Sequence, residues 1–433
     1  MARVRPFAAV RYRHETPDIS PLTAPPYDVI SAEECESYLA LDPHNVVELE
    51  LAEGALDPEV PGNRYETAAA TWNSWREEGI LQRDPTPSFY VLEQRYELDG
   101  VPIRRKALIA EVTLEPFSAG VVLPHERTLP KALGDRYELI KATAANFSQV
   151  FGLFDDAAGE TDPLFTRAMS HEPTLIATDP DGVQSLVWAV SDASLVAGFE
   201  QALADKRIFI ADGHHRYTTA LAYRDYRRDQ AAASTDASAL EDPAYDYVMM
   251  ALVNMEDPDL VVLPTHRVAS ASDVFDPETF LKALESDFAV EAVDSAAVSI
   301  LDRVDTPSFL VKVAGDERTL LLRLRGDVDL DTRISVQRSS AWKHLDVAVL
   351  QELILDPLLD IHPDRAETLE RLSFVKDAQR ALDSAREHDV AFVLRPTLMD
   401  QLRAVAIAGE TMPQKSTYFY PKLLSGLVMR SAD

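Results

Sequence analysis

The run Asp212-Gly213-His214-His215-Arg216-Tyr217 gathers more chemistry into six positions than any other stretch of the 433 residues. It follows the strand-like run Arg207-Ile208-Phe209-Ile210-Ala211 and precedes a helical pattern. A helix that starts just after a glycine turn presents backbone N–H groups and the positive end of its dipole. That arrangement binds phosphate. Gly213 lets the backbone approach a ligand closely. Arg216, in the first helical turn, can add a bidentate contact to a phosphoryl group. Asp212, at the end of the strand, can hold a metal ion or orient a hydroxyl proton. His214 and His215 exchange protons near neutral pH. Asp and Gly before a helix also make an ordinary cap. A cap does not account for two adjacent histidines and an arginine in a chain with only 10 histidines. No Gly-x-x-x-x-Gly-Lys-Ser/Thr loop is present, so this is not a Walker A turn.

A second cluster is His125-Glu126-Arg127, followed by Lys131, Asp135 and Arg136. It offers an acid/base pair and cations for a transferring phosphoryl group, or else a solvated charged loop. His266-Arg267 after Pro264 reads more simply as a structural strand end. Lys415, Tyr418, Tyr420 and Lys422 can close over a phosphate-bearing ligand or cap the fold. Together the histidines, Asp212 and Glu126 are numerous enough for a catalytic metal site. Yet there is no His-Glu-x-x-His, and Mg²⁺ held by Asp212 and substrate phosphates suits these residues better than Zn²⁺.

The elements that position these groups are legible in part. Apolar residues at helical spacing predict a helix over 64–78, stopped by Gly79. Segments 88–97 and 103–115 predict a hairpin turning at Asp99-Gly100. A helix is expected over 137–143. Residues 207–211 predict a buried strand, 212–215 a turn, and 216 to about 229 a helix. An Ala/Ser/Asp-rich surface loop should follow over 230–243, then a strand over 247–253. Further on, 308–313 and 319–325 predict a second hairpin, and 345–359 one amphipathic helix ending near Pro357. Prolines at 6, 17, 21, 25 and 26 forbid a long helix in the first 30 residues. The stiff segment Ala24-Pro25-Pro26-Tyr27-Asp28 either staples the N-terminus or lines a pocket. Strands and helices mix without a regular βαβ cadence, so the expected class is α+β with a mixed-sheet core. The expected division is 1–115, an active-site core over 116–270, and 271–433.

Composition narrows the function classes. The net charge is −30, from 72 acidic against 42 basic residues. Such a chain repels nucleic acid and anionic lipid, so neither is expected as a partner. The single cysteine, Cys35, allows no internal disulfide and no Cys-rich metal site. No signal-like apolar region and no membrane-length apolar run occur. A cytoplasmic protein is expected.

Several segments together resemble domain-of-unknown-function family 1015, essentially end to end. They are Arg5-Pro6-Phe7, Ala24 to Ile30, Pro124-His125-Glu126, Ile210 to Tyr217, Leu263-Pro264-Thr265-His266-Arg267 and Lys415-Ser416-Thr417-Tyr418-Phe419. Over a shorter stretch, Gly213-His214-His215-Arg216 after its strand is similar to the Gly-x-x-Arg turn of the ParB-like superfamily. That group includes chromosome-partition nucleotide switches, sulfiredoxin and an archaeal-type free serine kinase. The similarity implies a strand–turn–helix unit that grips nucleotide phosphates, with Gly213 and Arg216 as the matched positions. Where sulfiredoxin has its catalytic cysteine this chain has His214, so sulfinic-acid reduction is not implied. The kinase's catalytic carboxylate lies outside the turn, and Glu48 and Glu50 are the candidates for it.

The leading expectation is a kinase moving a phosphoryl group from ATP or ADP to a small hydroxyl compound, free serine first. Asp212, His214, His215, His125 and Glu126 are its expected catalytic groups. Gly213, Arg216, Arg127, Lys131 and Arg136 would hold the nucleotide, and Asp212 would hold Mg²⁺. The alternatives are a metal-assisted hydrolase using the histidines and a nucleotide-binding regulatory protein without turnover.

Overall fold

The computed structural model describes residues 2–13, 17–126, 130–233, 242–271, 275–294, 298–363, 365–385 and 389–433. Arg127 lies outside them, and the side chain of Lys131 is also outside the description. So does most of the loop expected over 230–243; its first residues belong instead to the preceding helix, His214–Ala233. The class is α+β, with a large mixed sheet and flanking helices.

The chain forms two compact units: Met1–Pro124, Thr128–Val261 and Pro421–Asp433 make one, His125–Arg127 and Val262–Tyr420 the other. These groupings do not follow the expected cuts after 115 and 270. The reason is strand pairing between distant segments, which linear reading cannot see. Strand Val101–Thr113 pairs with Tyr247–Asn254, and the C-terminal Arg430–Ser431 pairs with Ala145–Asn146.

Among the described residues of the first unit nine strands form one sheet. Its order runs Val122–Leu123, Ile208–Asp212, Val150–Phe154, Tyr247–Asn254, Val101–Thr113, Phe89–Leu98, Gln184–Val190 and Leu175–Thr178, with Val4–Arg5 also pairing to Val101–Thr113. Ile208–Asp212 is parallel to Val122–Leu123 and antiparallel to Val150–Phe154. The central hairpin turns where expected. Asp99 at φ 52° and Gly100 at φ 79° both adopt the positive φ that a tight hairpin turn needs. Helix Arg64–Glu77 is capped by the Asn63 side chain, which accepts from the Tyr65 and Glu66 amides at 3.0 Å. It buries Tyr65, Ala68, Trp72 and Trp75, one helical face. Helix Pro130–Thr143 begins well before the expected 137, and its Ile140 packs with Tyr223 of helix His214–Ala233.

The second unit holds a six-stranded antiparallel sheet, ordered Phe288–Val293, Thr319–Leu324, Ser308–Val313, Asp389–Val393, His266–Ser270 and Leu372–Val375. The single helix expected over 345–359 is interrupted. An α-turn, Asp346–Leu350, runs into a π-turn, Gln351–Leu355, and then into Asp356–Leu359. Pro357 sits at the start of that last helical turn, where its missing N–H costs little.

Candidate functional site

The strand–turn–helix forms with two refinements. The register of Ile208–Asp212 against Val150–Phe154 slips between Ile210 and Asp212, so that Ile210 faces Gly152 but Asp212 faces Phe151. A bulge of this kind re-aims the next side chain. Asp212 is thereby moved off the apolar face that Ile208 and Ile210 contribute to the core. The helix also starts earlier than 216, at His214, so both histidines lie in its first turn. His214 is buried and His215 half-buried.

Gly213 has φ +85°, a conformation side chains rarely adopt. A Cβ there would meet the Arg216 guanidinium at 2.9 Å. The glycine therefore makes both the turn and the room in which Arg216 folds back over it. Arg216 is held in that place by donating from Nη1 to the carbonyl of Gln149 at 2.5 Å.

Asp212 is bound at both oxygens. Oδ2 accepts from Lys422 Nζ at 2.6 Å, and Oδ1 accepts from the Gly213 amide at 2.7 Å. Burial opposes its ionisation. Lys422, Arg216 and the two hydrogen bonds outweigh burial and hold the carboxyl well below the usual carboxylate range. A carboxylate so stabilised is a weak base. Arg105 is buried nearby, donating to Gln94 and to the Pro421 carbonyl at 2.5 Å. Burial lowers it to about 10, against the pull of Tyr96, Asp257 and Asp212.

A small hollow of about 40 Å³ opens beside the turn, lined by Glu50, Arg136, Asn146, Ser148 and Arg216 among others. Of the two candidate carboxylates, only Glu50 lines it. Glu48 lines a different hollow with Cys35, Glu53 and Arg64. Arg136 Nη1 donates to Glu50 Oε2 at 2.8 Å, and its Nε and Nη2 donate to Asp135 Oδ2 at 2.8 and 2.6 Å. The Arg136 guanidinium also lies 4.0 Å from the centre of the Tyr27 ring. Tyr27 is pushed up to about 12, chiefly by burial and against the effect of Arg136. The stiff 24–28 segment thus brings an aromatic ring to the site. Tyr217 is buried, its hydroxyl bonded to both the amide and the carbonyl of Glu115 at 3.0 and 2.9 Å, and it serves packing.

His125 and Glu126 belong to the other compact unit. There His125 is buried, with Nε2 2.9 Å from the Thr417 hydroxyl. Glu126 Oε1 accepts the Lys415 amide at 2.8 Å. Arg267 is buried and donates to the carbonyls of Thr265, Gln414 (3.3 Å) and Lys415 (3.1 Å). His266 is buried, its Nδ1 accepting the Leu394 amide at 3.2 Å. Burial, then Arg267, lowers it to about 4. Among the described residues no three His, Cys, Asp or Glu side chains come together as a metal-ligand set. The histidine-based metal centre of the hydrolase reading is therefore not assembled by them.

Lys422 is legible in the sequence only as one of two tail cations, because its partner lies 210 residues away. Gln149 gave no local signal at all. Its side-chain amide is fully buried and has no hydrogen-bond partner among the described residues.

The model of the family described as "Protein of unknown function (DUF1015)" matches residues 4–348. No curated protein matches the chain. Among solved structures it is similar to a free serine kinase variant in complex with ADP, with 12% identity and TM-score 0.34, over 74% of this chain and 92% of that one. SbnI with a C-terminal truncation, from Staphylococcus aureus, is 13% identical with TM-score 0.35, over 73% and 85%. A conserved hypothetical protein from Pyrococcus furiosus is 12% identical with TM-score 0.32, over 72% and 90%. Among the described residues no helix is long and apolar enough to cross a membrane.

Proposed function

Because the chain belongs to the DUF1015 family, whose description assigns no activity, we propose a function from the site's own chemistry: transfer of a phosphoryl group from ATP or ADP to the hydroxyl of a small molecule. Free serine is the first acceptor to test. The observation that carries this reading is the bulged strand, positive-φ Gly213 and helix start, with Lys422 on Asp212 and with Arg216 lining one hollow together with the carboxylate of Glu50.

Gly213 and the helix N-terminus receive the donor phosphates, and Arg216 adds two-pronged contacts. Lys422 neutralises charge that builds on the transferring group. Asp212, too weak a base to take a proton, orients Lys422. Glu50 takes the acceptor's proton, and Arg136 holds that carboxylate in place. His214 and His215 flank the phosphates in the first helical turn.

Asp212 would hold Mg²⁺, which would supply positive charge against the donor phosphates. Asp212 fits as its ligand only if Lys422 turns away, since both carboxylate oxygens are engaged in the present arrangement. Arg136, saturated by Glu50 and Asp135, positions the base and does not grip phosphate.

The test is product formation. Protein, Mg²⁺, ATP or ADP, and serine within a panel of hydroxyl compounds are incubated and read by mass spectrometry. Glu50→Gln keeps the shape but loses the base, and turnover should fall by about 10²–10⁴-fold with nucleotide binding kept. Binding without product across the panel would replace this reading with the regulatory one.

A further inference from the structure

The second compact unit contains a hollow of about 130 Å³ that the reading above does not use. Val336, Trp342, Met412 and Pro413 give it apolar walls, and Arg338 and Gln351 give it polar ones. Both of its long walls carry features that a fold retains only against a cost.

One wall is Thr411 and the start of the strap 412–417, in which Lys415 has φ +55°. That conformation is strained for a non-glycine residue and persists only where its surroundings enforce it. Here they do. Glu126 takes the Lys415 amide, Arg267 takes the Gln414 and Lys415 carbonyls, and the Met412 amide donates to the His125 carbonyl at 2.8 Å. The facing wall includes Gln351, first residue of the π-turn Gln351–Leu355, and π-turns concentrate at functional sites. Its Nε2 is fixed on the Ile361 carbonyl at 2.8 Å.

The floor is equally rigid. Trp342 is buried and donates from Nε1 to the Thr411 carbonyl at 2.9 Å. Ser339 caps its helix and is anchored to Glu410 by its amide at 2.9 Å and its hydroxyl at 2.5 Å. Over the indole, at 5.6 Å from the ring centre, lies the Arg338 guanidinium. Among the described residues Arg338 makes this stacking contact and no ion pair or hydrogen bond, in a chain of net charge −30. Its N–H donors are left for a carboxylate or phosphoryl oxyanion.

The geometry points to a second ligand site here, for a small molecule with an apolar body near the size of a benzene ring and one oxyanion. The apolar body fills the space between Val336, Trp342, Met412 and Pro413, as benzene fills an apolar cavity of about 150 Å³. The oxyanion meets Arg338. Glu352 also lines the hollow, which disfavours a second negative group on the ligand. The proposal is independent of the phosphotransferase reading, because its residues lie in the other unit.

The test uses the full chain and four probes of one size: benzoate, phenyl phosphate, benzamide and benzylamine, titrated by saturation-transfer NMR. An oxyanion probe should bind at least about fivefold tighter than benzamide, with benzylamine weakest. The ratio of benzoate to phenyl phosphate then assigns carboxylate or phosphoryl. Arg338→Met keeps a stem over Trp342 and should erase the preference for oxyanions, with the melting temperature kept. Val336→Phe narrows the hollow and should remove all binding. Equal affinity for benzoate and benzamide would overturn the proposal. So would an unchanged preference in Arg338→Met, or no binding of any probe.

Discussion

Two regions of this molecule look alike as lists of residues and differ in what their charges do. At the turn 212–216, Arg216 and Lys422 stand around one carboxylate and a glycine whose missing Cβ makes room for the guanidinium. At the strap 412–417, Arg267 is spent on three backbone carbonyls, Glu126 on a backbone amide and His125 on a threonine hydroxyl. The first arrangement keeps charge beside an open hollow. The second uses charge to hold a backbone shape. The same contrast runs inside the first unit, where Arg136 is saturated by Glu50 and Asp135 while Arg216 is bonded to a single carbonyl. Residue type alone therefore does not separate a cation that lines a hollow from one that holds a backbone shape. The partner does.

The largest effect should come from a structural cation. Arg136→Met removes the cation paired with buried Glu50, and breaking a buried pair costs about 3–5 kcal/mol. Chemical denaturation should show that loss. A loss under about 1 kcal/mol would place Arg136 with the ligand-facing cations.

His266 gives the next effect, through pH. Its folded value near 4 lies below the ordinary value near 6.5, so the unfolded chain binds the extra proton between those limits. The stability it contributes is complete above pH 6.5 and is lost as pH falls towards 4, by about 3 kcal/mol in all. His266→Asn should flatten that part of the stability–pH curve. An unchanged curve would remove His266 from the structural side of the comparison.

Gly213→Ala tests the turn itself. The positive φ alone should cost roughly 1–2 kcal/mol of stability, and Arg216 must also move. Thermal melting and nucleotide affinity should fall together. A fall in stability with affinity intact would mean that Arg216 needs no such room. The smallest effect is of opposite sign: Lys415→Gly relieves the strap's strained residue and should stabilise the protein by about 1 kcal/mol. No gain would mean that the strap holds Lys415 without strain.

Much of the first region was legible in the sequence, because its parts are local. Asp99-Gly100 marks a hairpin turn by backbone preference, Gly79 stops a helix, and Gly213 punctuates a strand and a helix. The bulge at Ala211 was not legible, since it depends on register against Val150–Phe154 and not on any residue in the strand. It also hid the helix start, because His214 and His215 read as turn when the strand is taken to end regularly. The pairing of Lys422 with Asp212, and of His125 with Thr417, spans 210 and 292 residues and leaves no trace in either neighbourhood. The choice of Glu50 over Glu48 rests on which hollow a two-residue step along a short helix reaches. The π-turn after Leu350 was equally invisible, since its residues carry an ordinary helical pattern.

The central claim is that the 212–216 turn grips nucleotide phosphate through Arg216. Calorimetric titration of ADP, with Mg²⁺ present, into the unaltered protein and into Arg216→Ala tests it most directly. The account predicts binding to the first, and affinity about 10- to 100-fold weaker for the second at an unchanged melting temperature. Equal affinity in both proteins, or no binding to either, would contradict it.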